Sequence, residues 1–261
     1  RFTDFDQREK TLTPISGYWA YPLVSLDQAL RPFLSKINEL QRSIDEAYNH
    51  CRYPSQHNLT RDEAAALLLY TMEAGEYSFY RYLNQTLRDK DRRKVVPWFH
   101  YLKLLDSALN KLPIVRGCVW RGVPDGVSQQ FQRNEQITWW SINSCSSSVK
   151  VVQGFLEADS HSTLFMIEAA QGRDISAYTM YPDEEEVILK MGTRLRVKDN
   201  ALEYGKLRVV HLVEVDSQGH EQATAAMGAM ALSPKPVGMS ICEIVNSLSE
   251  IAIGSFRYDV N

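Results

Sequence analysis

Residues 95–122 read VVPWFHYLKLLDSALNKLPIVRGCVWRG, and the character of the chain changes inside this stretch, at Leu112-Pro113. Before it, apolar residues return every three or four positions. Trp98, Tyr101, Leu102, Leu105 and Leu109 fall on one face of a helix whose first turn suits Pro97. After Pro113 the period shortens toward two, and Val, Ile, Leu, Trp and Thr take over. Upstream, Ser25-Leu26-Asp27-Gln28 has the form of a capping box, in which a hydroxyl accepts an orphan N–H while Gln28 reaches back. It opens a face of Leu26, Leu30, Phe33, Leu34, Ile37, Leu40, Ile44, Ala47 and Tyr48, which predicts one amphipathic helix. Thr60-Arg61-Asp62-Glu63 opens a second helix toward Met72, and a third is predicted over 77–87. Downstream, strands are predicted over 115–121, 137–146, 163–168, 184–189, 193–198 and 207–215, interrupted by one short helix near 149–156. Helices first and strands later predict an α+β fold, not an alternating α/β one. The expected division is a helical part over 1–112, a strand-rich core over 113–219, and a tail over 220–261 with a helix near 241–253 and no assigned role. The parts are expected to form one integrated domain.

Composition narrows the function. The 261 residues are 44% hydrophobic and 23% charged, enough to bury a core without disulfide or metal staples. A net charge of −3 disfavours a nucleic-acid partner, because no global field draws the chain to phosphates. The basic run Arg88, Lys90, Arg92, Arg93 and Lys94 is diluted by Asp89 and Asp91 and reads as a solvated loop. No stretch reaches the roughly 18 apolar residues of a membrane span. The chain opens at Arg1 without a Met, which reads as an excised or processed fragment. Cys51, Cys118, Cys145 and Cys242 are scattered without zinc spacing, as expected of reduced thiols in a cytoplasmic protein. Sequons at Asn58-Leu59-Thr60 and Asn84-Gln85-Thr86 keep a secreted chain open. The six histidines form no ligand set, so no metal is expected.

Three motifs in the strand-rich part carry chemistry. Trp120-Arg121-Gly122 closes a strand with a guanidinium, which matches phosphate geometry, beside a bare backbone that a ligand can approach. Trp139-Trp140-Ser141-Ile142-Asn143-Ser144-Cys145-Ser146-Ser147-Ser148 places Ser144 and Ser146 on one strand face and Cys145 on the other. Its hydroxyls, beside two tryptophans, suggest a polar floor in an aromatic pocket. There is no Gly-x-Ser-x-Gly elbow to support serine-hydrolase chemistry. Asp183-Glu184-Glu185-Glu186-Val187-Ile188-Leu189 sets acids directly against an apolar strand. Period two predicts Glu184 and Glu186 on one face and Glu185 on the other. Each motif alone has an ordinary structural explanation.

Their order is more specific. Arg in a strand, then Ser-x-Ser, then Glu-x-Glu before an apolar strand resembles the arginine-serine-glutamate class of mono-ADP-ribosyltransferases. The commonest second motif there is Ser-Thr-Ser; here Cys145 takes the middle position, pointing away from the ligand. Lys190-Met191-Gly192-Thr193 stands where the family often has Pro-Pro-Gly-Thr. The resemblance covers about 115–215. More loosely, LTRDEAAALLLYTME and VVPWFHYLKLLDSAL resemble eukaryotic members of the ecto-enzyme type, including sets found in small invertebrates.

The resemblance implies a mixed two-sheet core with NAD+ held between the sheets as substrate. It implies that Glu186 holds the ribose 2′-hydroxyl and stabilises an oxocarbenium ion. Ser144 positions Glu186 and the ribose, with Ser146 on the same face. Arg121 anchors the pyrophosphate, Gly122 holds the nicotinamide amide, and Phe155 stacks on the nicotinamide unless it is a core residue of its short helix. Glu184 prepares an acceptor arginine, and the loop over 175–183, with Tyr178 and Tyr181, recognises the acceptor protein. An NAD+ glycohydrolase, with water as acceptor, and a non-catalytic NAD+ or ADP-ribose binding module remain the alternatives. The oligomeric state is open.

Overall fold

Six α-helices and seven strands make up the described part of the chain. The structure, a computed structural model, describes residues 12–74, 78–123, 127–156, 161–204, 206–216 and 219, with the backbone alone over 201–204. The tail over 220–261, its expected helix near 241–253 and the expected helix start at Tyr77 lie outside the described residues.

The first predicted helix is two. Helix α1 spans Leu26–Leu30, a 3-10 turn follows over Arg31–Phe33, and α2 runs from Leu40 to His50. Pro32 sits in the break; it has no N–H to donate, and its ring disfavours an uninterrupted turn. The apolar face survives the break: Leu26, Leu30, Phe33, Ile37, Leu40, Ile44 and Ala47 share one core, while Leu34 is exposed. Helix α3 (Arg61–Thr71) carries a complete capping box. Thr60 Oγ1 accepts the Glu63 N–H at 3.2 Å, and Glu63 Oε2 accepts the Thr60 N–H at 2.7 Å. Every residue from Glu63 to Thr71 is buried, so α3 is the axis of the helical half. Helices α4 (Phe79–Leu87) and α5 (Phe99–Lys111) pack around it. Pro97 lies in a 3-10 turn, Arg92–Trp98, ahead of α5 and not in its first turn. Trp98 in that turn stacks on Phe33 at 3.8 Å and meets Phe79 and Tyr101 edge-on.

The basic run is less solvated than expected at one position. Arg93 and Lys94 pair with Asp91 and Asp89 near the surface, whereas Arg92 donates to the Thr13 and Leu87 carbonyls and lies 5.7 Å from the Trp140 ring.

The strands are β1 (Ile114–Val123), β2 (Gln136–Trp139), β3 (Asn143–Ser146), β4 (Ser162–Asp174), β5 (Glu186–Leu189), β6 (Thr193–Tyr204) and β7 (Leu207–Glu214). Helix α6 (Val149–Gln153) separates β3 from β4. Hydrogen bonds join the strands in the order β1-β3-β5-β4-β7-β6-β2, with β1 also paired to β4. All pairs are antiparallel except β4 with β7. The two sheets expected from the sequence are therefore linked into one. A short ribbon of β3 and β5 is bonded at its ends to β1, through Trp120 opposite Ser146, and to β4, through Arg173 and Asp174 opposite Ile188 and Val187.

The single strand predicted over 137–146 is broken by Trp140-Ser141-Ile142, because the chain changes partners from β6 to β5 there. The Asn84 amide holds the crossing point. Its Nδ2 donates to the Ile142 carbonyl and its Oδ1 accepts the Ile142 N–H, both at 3.1 Å. The ribbon lies between two cores. Ile142 and Ile188 pack with the helices, whereas Cys145, Val187 and Leu189 pack with the strand core of Val119, Phe165, Ile167 and Leu212.

On the sheet, Glu168 takes a hydrogen bond of 2.7 Å from His211 Nε2 and one of 3.0 Å from Lys198 Nζ. The His211 bond foremost, then Lys198, outweigh burial and hold the Glu168 carboxyl down at about 2. A depressed folded-state pKa stabilises the fold above the unfolded carboxylate pKa, and that stability is lost as pH falls toward the folded value. Glu168→Gln should therefore cost about 1–2 kcal/mol near neutrality, after allowance for partial exposure. The difference from wild type should close between about pH 5 and pH 2. Urea unfolding across that range measures it; a difference independent of pH would contradict the assignment. Among the described residues no helix is long and apolar enough to cross a membrane.

Candidate active site

The ribbon brings the three motifs together. In the register of β3 and β5, Ser144 stands opposite Ile188, Cys145 opposite Val187 and Ser146 opposite Glu186. One row across three strands thus reads Trp120, Ser146, Glu186. Arg121 follows Trp120, is buried, and donates from Nη1 to the Ser144 carbonyl at 2.7 Å. Ser144, Ser146 and Glu186 are each fully buried. Arg121, Ser144 and Glu186 thus lie on three strands joined side by side, and Ser146 Oγ ties the Glu184 backbone to the same ribbon.

Cys145 turns to the strand core. Burial pushes its thiol up to about 12, eased by Arg121 and reinforced by Glu186. A thiol held neutral in this way is a poor nucleophile. The two tryptophans do not wall the serines as expected. Trp139 packs in the strand core on Phe165, and Trp140 lies by Arg92.

The acidic run departs from strand alternation. Pro182–Glu184 is a 3-10 turn, Glu185 is left-handed at φ 46°, ψ 49°, and β5 begins only at Glu186. Pro182 favours the turn, and the left-handed residue reverses the chain into the strand. Glu184 is half-buried, with its carbonyl accepting Ser146 Oγ at 2.7 Å. Glu185 is exposed, and its Oε2 accepts Ser147 Oγ at 2.5 Å. The three acids are therefore separated by three different backbone conformations, not by a period of two.

One expected ligand-side residue lies elsewhere than foreseen. Tyr178 is buried and so is not displayed to an acceptor; its hydroxyl bonds Ser55 and His57. Tyr181 is partly exposed at 38%. Phe155 is 44% exposed, which removes the reading of it as a core residue. Gly122 has a packing reason to lack a side chain: a Cβ would lie 2.9 Å from the Val152 and Leu156 side chains. In place of the family's prolines, Lys190 ties the β5–β6 turn to α5 through Asp106 (2.7 Å) and Asn110 (2.9 Å).

Two residues beside the site and two that hold its loop gave little or no signal in the sequence. Tyr70 of α3 donates to the Ile142 carbonyl at 3.2 Å, and its hydroxyl lies 3.4 Å from Ser144 Oγ. Burial raises its pKa; hydrogen bonding to Ser144 opposes this, and Glu186 adds to it. It therefore stays a neutral donor. Its one signal was a hydroxyl in an otherwise apolar run. Thr179 donates from Oγ1 to Glu186 Oε2 at 3.4 Å. Ser55 and His57 gave no local signal, since they meet Tyr178 across more than a hundred residues.

Known proteins resemble this chain in sequence and in fold. A family model described as NAD:arginine ADP-ribosyltransferase matches residues 26–218. The Mav protein of Mycobacterium avium (strain 104), named as a NAD(+)–arginine ADP-ribosyltransferase, is 34% identical over 157 residues. The match takes in 59% of this chain and only 18% of that protein's length. Among solved structures, the Vis toxin of Vibrio splendidus superposes with a TM-score of 0.51 at 18% identity, over 77% of this chain and 91% of its own. The eukaryotic mono-ADP-ribosyltransferase ART2.2, solved in complex with NADH, gives 0.54 at 20% identity, over 71% and 82%. These likenesses show a shared fold of helices with a mainly antiparallel sheet. The family match spans well over half of the residues, and so the chain belongs to the NAD:arginine ADP-ribosyltransferase family.

Proposed function

We propose that this chain transfers ADP-ribose from NAD+ to the arginine of a protein and releases nicotinamide. The observation that carries the reading is the placement of Glu186. It is fully buried, stands opposite Ser146, and lies on the strand paired with that of Ser144, whose carbonyl accepts from Arg121, in a chain of this family.

NAD+ offers a pyrophosphate and a glycosidic bond whose leaving group departs neutral, so no strong general acid is needed. What is needed is negative charge beside the ribose as cationic character develops, as in glycoside hydrolysis. Glu186 supplies it in a water-poor position and holds the 2′-hydroxyl; Ser144 and Ser146 orient it. Arg121 suits the pyrophosphate, Gly122 the nicotinamide amide, and the exposed Phe155 ring the nicotinamide face. As the bond to nicotinamide breaks, that group leaves with the electron pair, and an arginine nitrogen attacks the anomeric carbon. The guanidinium, with a pKa above about 12, must lose a proton. Half-buried Glu184 takes it. Tyr181, not Tyr178, faces the acceptor.

Residues 1–112 and 113–219 serve as parts of one integrated unit, supported by a core in which Ile142, Ile175, Tyr178 and Ile188 pack among the helices. The affinity to eukaryotic ecto-enzyme members rests on the two helical stretches around α3 and α5. No metal takes part in this scheme.

Incubation with NAD+ and agmatine tests the reading, with nicotinamide followed by chromatography and the acceptor by mass. The expected result is nicotinamide together with ADP-ribosylated agmatine. Free ADP-ribose alone would make the protein an NAD+ glycohydrolase, and binding without release would make it a nucleotide-binding module.

A further inference from the structure

The loop between β4 and β5 carries Glu184, and its fastening is uneven. At its far end it is held by the strand half: Ser146 Oγ donates to the Glu184 carbonyl at 2.7 Å, and the Ser147 N–H to the Glu185 carbonyl at 3.2 Å. At its near end it is held by the helical half. The Tyr178 hydroxyl lies 2.7 Å from Ser55 Oγ and 2.8 Å from His57 Nδ1, and Ser55 Oγ accepts the His57 N–H at 3.1 Å. The three groups close a triangle in which the phenol can donate to one partner and accept from the other. The His57 ring also meets the Tyr178 ring edge-on, with centroids 5.7 Å apart. A second fastener follows two residues on, where the Met180 N–H donates to Thr71 Oγ1 at 3.0 Å, and Thr71 Oγ1 donates to the Leu68 carbonyl.

We propose that the Ser55–His57–Tyr178 triangle is a positioning element that sets how much of the reaction ends on arginine rather than on water; this rests on the transferase reading above. The physical reason lies in which acid the loop moves. Glu186 belongs to β5, where the register opposite Ser146 holds its backbone, and the bond its carboxylate takes from Thr179 of the loop is long, at 3.4 Å. Glu184 belongs to the loop, in a 3-10 turn that starts at Pro182. Releasing the loop therefore displaces Glu184 and the exposed Met180 and Tyr181 more than Glu186. An acceptor guanidinium must be held in line with the anomeric carbon while it gives up a proton, and misplacement by about 1 Å can cost on the order of 100-fold. Water needs no such holding. A buried phenol needs a partner for its hydroxyl. Here both partners come from the stretch between α2 and α3, so the helical half determines where the loop rests.

The test compares wild type with Ser55→Ala/His57→Ala, Tyr178→Phe and Ser55→Thr. Two rates are read: nicotinamide release without acceptor, and labelling of agmatine. For Ser55→Ala/His57→Ala, labelling should fall about tenfold, through a raised KM for agmatine, while nicotinamide release stays within about twofold. Tyr178→Phe, which keeps the ring and loses the hydroxyl, should show the same loss of labelling. Ser55→Thr keeps a hydroxyl and should retain the wild-type ratio. An unchanged ratio in the double variant and in Tyr178→Phe would overturn the proposal. So would a parallel loss of both rates, which marks a general structural role. A wild type that releases no nicotinamide defeats the transferase reading itself, whereas normal turnover with an unchanged ratio defeats only the tether.

Discussion

Glu186→Gln should lose nicotinamide release and acceptor labelling together, by a factor of roughly 100–1,000, which corresponds to about 3–4 kcal/mol of barrier. The amide has the size of the carboxylate and can keep the Thr179 contact, so the packing of this fully buried residue is preserved. What disappears is the negative charge beside the developing oxocarbenium ion, in a place where no water substitutes for it. Glu184→Gln leaves that charge in place and removes the group that prepares arginine. Labelling should fall steeply while slow NAD+ hydrolysis survives. Glu185→Gln should change both rates little, by less than about threefold; its exposed carboxylate bonds Ser147, and an amide can still accept from that hydroxyl. Nicotinamide release and agmatine labelling for the three variants separate these outcomes. A Glu186→Gln enzyme that still releases nicotinamide, beside an inactive Glu185→Gln, would reverse the assignment.

Glu63→Gln should lower the stability of the whole domain by about 2–3 kcal/mol, or roughly 5–10 °C in Tm. Glu63 is 1% exposed, and three donors converge on its carboxylate: Lys111 Nζ at 2.6 Å, Thr60 N–H at 2.7 Å and Ser107 Oγ at 2.7 Å. Burial alone would raise its pKa; Lys111, then Thr60 and Ser107, prevail and lower it. The residue thus joins the N-terminus of α3 to α5, and α3 supplies Tyr70 and Thr71 to the site. An amide would leave one acceptor position replaced by a donor facing an ammonium or a hydroxyl. The full cost of breaking a buried ion pair is moderated because Lys111 is a third exposed and can rehydrate. Sign follows from the lowered pKa: the stabilisation is present above the unfolded carboxylate value and is lost as pH falls through the folded one. Thermal unfolding at neutral and acidic pH measures both; a Glu63→Gln protein as stable as wild type at neutrality would rule the account out.

Much of this protein was legible locally. The period change at Leu112-Pro113 placed helices before strands, and the Thr60–Glu63 spacing marked the start of α3 because a capping box is made within four residues. The order of Arg121, Ser144 and Glu186 pointed to the family because each sits at a recognisable position in its own strand. Sequence alone was less informative where contacts at long range override the local period. Asn84 holds Ile142 from 58 residues away and splits the strand expected over 137–146. Ser146 and Ser147 hold the Glu184 and Glu185 backbone from 38 residues away, so the acids leave the alternation that their spacing implied. Tyr178 carries an aromatic ring that in a loop reads as a surface for partners; the helical core and the bonds to Ser55 and His57, on another part of the chain, turn it inward. The sequence by itself determined the kinds of elements and the chemical groups of the site, because these follow from neighbouring residues. The tertiary structure alone decided which of three consecutive acids is buried, because that depends on hydrogen bonds between distant segments that no local period encodes.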